Sequence, residues 1–489
     1  MDASVTWEAN EAEGFGYRSC SPPLPSRPLV TPGAGCHTPS VRPSSLFALA
    51  PCVLVACGPP FSIDAARDAP SESAADVSAD AVGSSSDSPL GPALYPSDRT
   101  HSPITPALAA HLRDIAARDP AQRESVFAKI GDSQTVSTNF VYCFAGSRID
   151  LAGRTQLQST IDHFVSGNAA GANPYVRVSL AATVGWSAWA ALAGSPSPLS
   201  QEVSAIVPRY AVIMFGTNDL QNRDPYRYAG NLLDIADLLV AAGIIPLFTS
   251  VPPRDDDAAA DLWVPRYNAI VRGVAQSRQV PFIDLERELR PLPNHGVGPD
   301  GIHLESLVTS TGSMPCAFSA TGLQHGANIR NFLTLESLDR ARRALSDPSA
   351  MAPDPSAPFL AGSGTAADPF VVASLPVTDA RNTAVAGTRA ISTYPGCAAP
   401  QDESGPDIVY RFVATRPVRV RAMVFDRGSV DTDVHVLGGA IDGASCIARD
   451  DRGIVLDLVP GTYHFVVDTY VSAGVEHAGE YLLVVMEDS

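Results

Sequence analysis

The apolar run Val126-Phe127-Ala128-Lys129-Ile130 breaks at Gly131-Asp132-Ser133. An apolar run of strand length that stops at Gly and Asp and presents a serine reads as the C-terminal end of a buried parallel strand. Open α/β sheets place their chemistry at that edge. Similar runs follow at Val176 to Ala182, Tyr210 to Phe215, Ile244 to Thr249 and Val280 to Asp284. Helical periodicity separates them, from Ala107 to Ile115, Leu157 to Phe164, Tyr226 to Ala242 and Tyr267 to Ala275, with a last helix from about Gly322 to Leu345. Strands alternating with helices predict a three-layer α/β sandwich around a parallel sheet of about five strands.

A serine at such an edge needs a base to take its proton, a group to orient the base, and donors for an oxyanion. Two later segments supply these types. Tyr210 to Phe215 ends in Gly216-Thr217-Asn218-Asp219, and Asp300-Gly301-Ile302-His303 follows a Pro/Gly-rich loop. The Asp-x-x-His spacing puts both side chains on one side of a loop or first helical turn, so a carboxylate can hold Nδ1–H while Nε2 faces the serine. Each motif alone is also the signature of a turn or a helix cap; order, spacing and the preceding strands set them apart.

In this order the pieces resemble the SGNH hydrolase superfamily, the GDSL-type esterases and lipases, over roughly residues 96–347. The resemblance implies a flavodoxin-like sheet. It implies Ser133 as nucleophile, Asp300 and His303 as orienting acid and base, and Asn218 as an oxyanion donor. Gly185, in Val184-Gly185-Trp186-Ser187, matches the block whose glycine N–H joins the N–H of Ser133 in the oxyanion hole. The implied activity is hydrolysis of carboxylic esters with acetyl or short acyl groups, with no metal or organic cofactor. Carbohydrate O-acetyl esterase activity is the narrower alternative, and a non-catalytic surface binding protein on a hydrolase fold is the alternative from another class. Trp186 and Trp189 either pack in the core or line a substrate cleft. The run Arg254-Asp255-Asp256-Asp257 reads as a solvated turn rather than a metal loop.

A chain of 489 residues exceeds one compact core, so two folded domains plus linkers are expected. Net charge is −18 and Lys129 is the only lysine. An acidic chain without a basic stripe argues against nucleic acid and anionic membrane surfaces as partners. Four of the eight cysteines, Cys20, Cys36, Cys52 and Cys57, precede any expected fold. Cys143 and Cys316 fall in the first domain and Cys397 and Cys446 in the second, which predicts one disulfide in each domain of an exported chain.

Residues 1–40 are rich in Pro, Ser and Gly and lack periodicity; they read as unstructured and as preceding the true translation start near Val41. Residues 41–57 combine Arg42 with an apolar stretch too short for a membrane span, and Leu54-Val55-Ala56-Cys57 resembles a bacterial lipobox. That resemblance implies cleavage before Cys57, acylation of its thiol, and export to the cell envelope or beyond. Residues 58–95 read as a disordered acidic tether and 348–368 as a linker. Residues 369–489 carry short alternating runs at Ile408 to Ala414, Val418 to Phe425, Thr432 to Leu437, Ile454 to Leu458, Thr462 to Thr469 and Tyr481 to Val485. They predict an all-β sandwich. Asp431-Thr432-Asp433-Val434-His435-Val436 and Pro460 to Asp468 resemble the bacterial pre-peptidase C-terminal domain. Some modules of that kind bind calcium, for which Asp431, Asp433, Asp450 and Asp451 offer oxygen ligands.

Overall fold

The computed structural model describes residues 91–346 and 352–488, and everything below concerns those residues. Cys57 and its lipobox-like surroundings lie outside them. The chain opens on α1 (Pro106–Ala117), where Pro106 occupies the first turn and the Thr105 hydroxyl accepts from Leu108 N–H. Then come β1 (Arg123–Gly131), α2 (Ser133–Val136), α3 (Gln158–Val165), α4 (Pro198–Ile206), β2 (Pro208–Met214), α5 (Pro225–Ala241) and β3 (Ile245–Thr249). They are followed by α6 (Ala258–Asp261), α7 (Val264–Ser277), β4 (Phe282–Ile283), α8 (Leu285–Leu289), the small hairpin β5 (Val308–Thr309) and β6 (Gly312–Ser313), and α9 (Gly326–Ser346). The first four strands form a parallel sheet in the order β1-β2-β3-β4. Helix α5 packs with α7, and α1 and α3 with α9, giving helical layers against the sheet. Every residue of β2 is buried, as a strand covered on both faces must be.

The expected strand at Val176 to Ala182 is not a strand. It shrinks to a single parallel bridge between Ala182 and Gly131. The physical reason is Glu202 of α4, a fully buried carboxylate that accepts from Leu180 N–H at 3.0 Å and pairs with Arg177 at 3.0 Å. The Ser179 hydroxyl likewise takes Ala181 N–H. With the Leu180 and Ala181 N–H groups held by side chains and those of Val176 and Arg177 turned to Asn173 O, the segment builds no ladder beyond that bridge, and Val178 and Leu180 face solvent.

The C-terminal part contains β7 (Phe370–Val372), β8 (Val377–Asn382), α10 (Thr383–Ala386), β9 (Ile408–Ala414), β10 (Val418–Asp426), β11 (Thr432–Gly438) and β12 (Cys446–Asp450). It ends with β13 (Gly453–Leu458), β14 (Gly461–Thr469), the short pair β15 (Val471–Ser472) and β16 (Val475–Glu476), and β17 (Glu480–Glu487). Two sheets, β13-β10-β17-β8 and β12-β11-β14-β9-β7, enclose a core that includes Tyr410, Val424, Val436 and Phe465. All six alternating runs are strands.

Strand β17 joins the two parts. Its alternate residues Tyr481, Leu483 and Val485 enter the sandwich core, while Leu482, Val484 and Met486 enter the core of the α/β part. Against them lies α7, whose polar residues are buried rather than solvated. Thr378 Oγ1 donates to Gln276 Oε1 at 3.0 Å, Arg266 meets Asp488 at 2.8 Å, and Arg278 pairs with both Asp237 and Glu480. The end of the stretch read as tether joins this seam too: Ala93 N–H donates to Gln279 at 3.1 Å and the Tyr95 hydroxyl to Val280 O at 3.0 Å.

Two disulfides, Cys143–Cys316 and Cys397–Cys446, match the expected pairing within each part. Each contributes about 2 to 4 kcal/mol, chiefly by restricting the unfolded chain. The first ties the loop after α2 to the loop before α9.

Candidate active site

At the end of β1 the backbone has no room for a side chain. A Cβ on Gly131 would lie 2.3 Å from Thr135 Oγ1 and 2.5 Å from Met214 O, so only glycine permits the turn. Asp132 then caps α2, its Oδ1 accepting from Gln134 N–H at 3.0 Å. Burial pushes the Asp132 carboxyl up to about 6 against the opposing pull of that N–H, Arg330 and Thr217. This cap places Ser133 at the first position of α2, partly exposed at the sheet edge.

The loop carrying His303 comes to meet it. His303 Nε2 lies 2.8 Å from Ser133 Oγ, and Nδ1 lies 2.7 Å from Asp300 Oδ2. The other oxygen of Asp300 accepts from Ile302 N–H at 3.0 Å and His303 N–H at 2.9 Å. Burial works to raise the Asp300 pKa, but the hydrogen bonds from the His303 ring and the two N–H groups outweigh it and hold the carboxyl below its ordinary value. Gly301 has φ +68°, and a Cβ there would come within 2.5 Å of Asp256 N. Its carbonyl accepts from Asp255 N–H at 2.9 Å.

The turn at residues 255–256 is exposed, as expected, but Arg254 beside it is not solvated. Arg254 is buried, donating to Thr217 O at 2.8 Å and pairing with Asp256 at 2.7 Å. Asp257 caps α6, and Asp255 meets the His295 ring at 2.7 Å. The charged run is scaffolding between the Asn218 turn and the His303 loop.

Asn218, on the turn after β2, and Gly185, on the loop before α4, are brought together by a hydrogen bond between their loops. Asn218 Nδ2 donates one hydrogen to Trp186 O at 2.9 Å, and the amide carries a second. On one side of Gly185, Thr183 N–H donates to Gly131 O at 3.2 Å; on the other, Ala188 N–H donates to Asp219 Oδ1 at 3.0 Å. Gly185 itself sits at the turn with φ +81°. Burial pushes the Asp219 carboxyl up to about 7 even though it accepts from Ala188 N–H. Trp186 packs against the core, whereas Trp189 is exposed, with the Arg227 guanidinium over its ring.

Sequence reasoning missed Gln134. Its buried amide spans the backbone on either side of the base: Nε2 donates to Ile302 O at 2.6 Å and Oε1 accepts from Leu304 N–H at 3.3 Å. Its own carbonyl accepts from Arg330, which also reaches Thr135 Oγ1 at 3.1 Å. The available signal was a polar residue directly after the serine where an apolar one would pack as well. Two lost hydrogen bonds of about 1 kcal/mol each set the expected effect of Gln134→Ala at about a thirtyfold fall in kcat, with KM little changed. Unaltered kcat in that variant, measured on a small activated ester, would show that the His303 loop holds its place without Gln134.

Residues 130–307 match the model of the GDSL-like lipase/acylhydrolase family. The central part of the chain is therefore a GDSL-type, or SGNH, hydrolase domain. No curated protein matches the chain significantly. Among solved structures, a GDSL-like lipase from Bacteroides thetaiotaomicron is similar at 19% identity, over 48% of this chain and 99% of that one, with a TM-score of 0.27. A catalytic mutant of an acetylxylan esterase from Geobacillus stearothermophilus is similar at 13% identity, over 43% of this chain and 93% of that one, with a TM-score of 0.29. The C-terminal part resembles the pre-peptidase C-terminal domain of a collagenase from Bacillus anthracis at 15% identity, over 23% of this chain and 89% of that one, with a TM-score of 0.16.

Proposed function

We propose that the protein is a serine esterase hydrolysing carboxylic esters with acetyl or short acyl groups. The observation that carries this reading is the unbroken chain of hydrogen bonds Ser133 to His303 to Asp300 at the edge of a parallel sheet. Ser133 Oγ attacks the ester carbonyl while its proton passes to His303 Nε2. The oxyanion forms against the N–H groups of Ser133 and Gly185 and the free N–H of Asn218. The C–O bond to the alcohol breaks as His303 returns the proton to the leaving oxygen. His303 then deprotonates a water that attacks the acyl-serine, and collapse regenerates Ser133 and releases the acid. Asp300 keeps the proton on Nδ1 throughout, so that Nε2 is the basic atom.

The side chains of His303 and Asp300 are 45% and 52% exposed, so the reacting edge opens directly to solvent. Such openness favours an acyl group carried on a large alcohol, which makes O-acetylated carbohydrate the narrower form of this proposal. Export and tethering through an acylated Cys57 belong to the same reading, and disulfides in both parts fit an oxidising compartment.

One experiment addresses both aspects. The full chain, expressed in a bacterium with lipoprotein machinery, is fractionated and each fraction assayed on nitrophenyl esters of rising acyl length and on acetylated oligosaccharides. Activity should sediment with membranes, and Cys57→Ala should abolish that. Rates should be highest on acetyl and short acyl esters; a maximum on long-chain esters contradicts the proposed substrate class.

A further inference from the structure

Strand β11 carries Asp433 and His435 two residues apart, hence on one face of its sheet, and the loop before β9 brings Glu403 to the same place. One ligand-capable atom from each of the three lies within 4.8 Å of the other two. Glu403 and His435 are both 0% exposed, yet neither ring nitrogen of His435 nor Oε2 of Glu403 has a hydrogen-bond partner. An unmatched buried polar atom costs about 1 to 3 kcal/mol, and Glu403 and His435 carry three of them between them. The plane of the imidazole is fixed by stacking on Tyr394, with ring centroids 3.6 Å apart.

Charge points the same way. Asp407 and Asp468 are also buried beneath this loop. Asp407 is satisfied by Thr388 Oγ1 and the N–H groups of Ala390 and Ile391, and Asp468 by the Tyr394 hydroxyl and Thr469 N–H. The cation that reaches the cluster is Arg449 of β12, 2.7 Å from Asp433 Oδ1 and 3.4 Å from Glu403 Oε1. One guanidinium thus faces four buried carboxyl groups, and it contacts two of them, Glu403 and Asp433. Burial raises the pKa of Glu403, and the facing Asp433 carboxylate raises it further.

We propose that Glu403, Asp433 and His435 bind a divalent transition-metal ion of the zinc type, as a structural ion fastening the loop before β9 to the sheet. One imidazole nitrogen and two carboxylate oxygens suit zinc, with water as fourth ligand; calcium takes six to eight oxygens and has no use for the imidazole. Zinc–ligand bonds near 2.1 Å place tetrahedral donors about 3.4 Å apart, so binding draws the three side chains slightly closer. The Cys397–Cys446 disulfide already ties the same loop to β12, which limits the chain ordering the ion must impose. Asp431, Asp450 and Asp451 stand outside this donor set: Asp450 caps the turn to β13 through Arg452 and Gly453 N–H, and Asp451 is an exposed partner of Arg449.

The test uses the full-length protein stripped with a chelator, desalted, and equilibrated separately with Zn²⁺ and Ca²⁺. About one Zn²⁺ per chain should be retained after desalting, with a rise in unfolding temperature of a few degrees. His435→Gln and Glu403→Gln should lose both effects while keeping the near-UV circular dichroism of the parent, and His303→Ala should keep them. Failure of the parent to retain Zn²⁺, full retention by His435→Gln, or preference for Ca²⁺ each overturns the proposal. Should the two cluster variants not fold, a crystal of the Zn²⁺-equilibrated parent decides: its anomalous zinc peak lies against His435 or the proposal is wrong.

Discussion

Ser133→Ala and His303→Ala should each lower kcat on a small activated ester by about 10⁶-fold, close to the loss from removing both. Nucleophile and base act as one unit, because the 2.8 Å contact between them is the path of the proton. Without Oγ there is nothing to attack; without the imidazole the hydroxyl stays protonated and the alcohol leaves without its proton. What persists is binding and the oxyanion donors. Neither change touches the core, since Ser133 and His303 both reach solvent. Both variants should therefore unfold at nearly the parent temperature, which separates lost chemistry from lost structure. Strict additivity in the double variant, measured by kcat, would show that the two residues do not act together.

Asn218→Ala carries the second largest effect, a fall in kcat of about 10²- to 10³-fold, or roughly 3 to 4 kcal/mol, as for loss of one oxyanion donor. KM should change little, because the amide acts on charge that develops only in the transition state. The substitution also frees Trp186 O from its 2.9 Å bond, so the Gly185 loop loses one of its anchors. The Asp219 bond to Ala188 N–H and the Gly131 bond to Thr183 N–H still hold that loop on both sides. Tryptophan fluorescence should accordingly stay close to the parent's. A kcat within threefold of the parent contradicts the role given to Asn218.

The Gly-Asp-Ser break and the Asp-x-x-His loop were legible because their spacing is local. Asp132 caps the helix that presents Ser133, and Asp300 reaches His303 within one turn. Relations set by tertiary packing were not. Val176 to Ala182 has strand composition, but a carboxylate from α4 captures its backbone. The polar residues of α7 carry no local sign of burial, yet they are buried beneath β8 and β17. Arg254 looks solvated in a run of aspartates, yet it braces the turn that carries Asn218. Gln134 acts on a loop about 170 residues away, and no local pattern encodes such a pairing. In the sandwich six runs were legible, while β7, β8 and β12 were not: β7 is only three residues long, β8 buries the polar residues Thr378, Asp379 and Arg381, and β12 is mostly exposed or half-buried.

The central claim, that Ser133 is the nucleophile of an esterase, is tested most directly by a fluorophosphonate, which bonds covalently to a serine activated by its neighbouring base. The full-length protein is treated with the reagent, assayed for residual hydrolysis, and digested for peptide mapping. The expected result is one adduct per chain, located on Ser133, with activity lost in proportion to labelling and no labelling in His303→Ala. Activity surviving complete treatment, or inhibition that maps to another serine, would contradict the account.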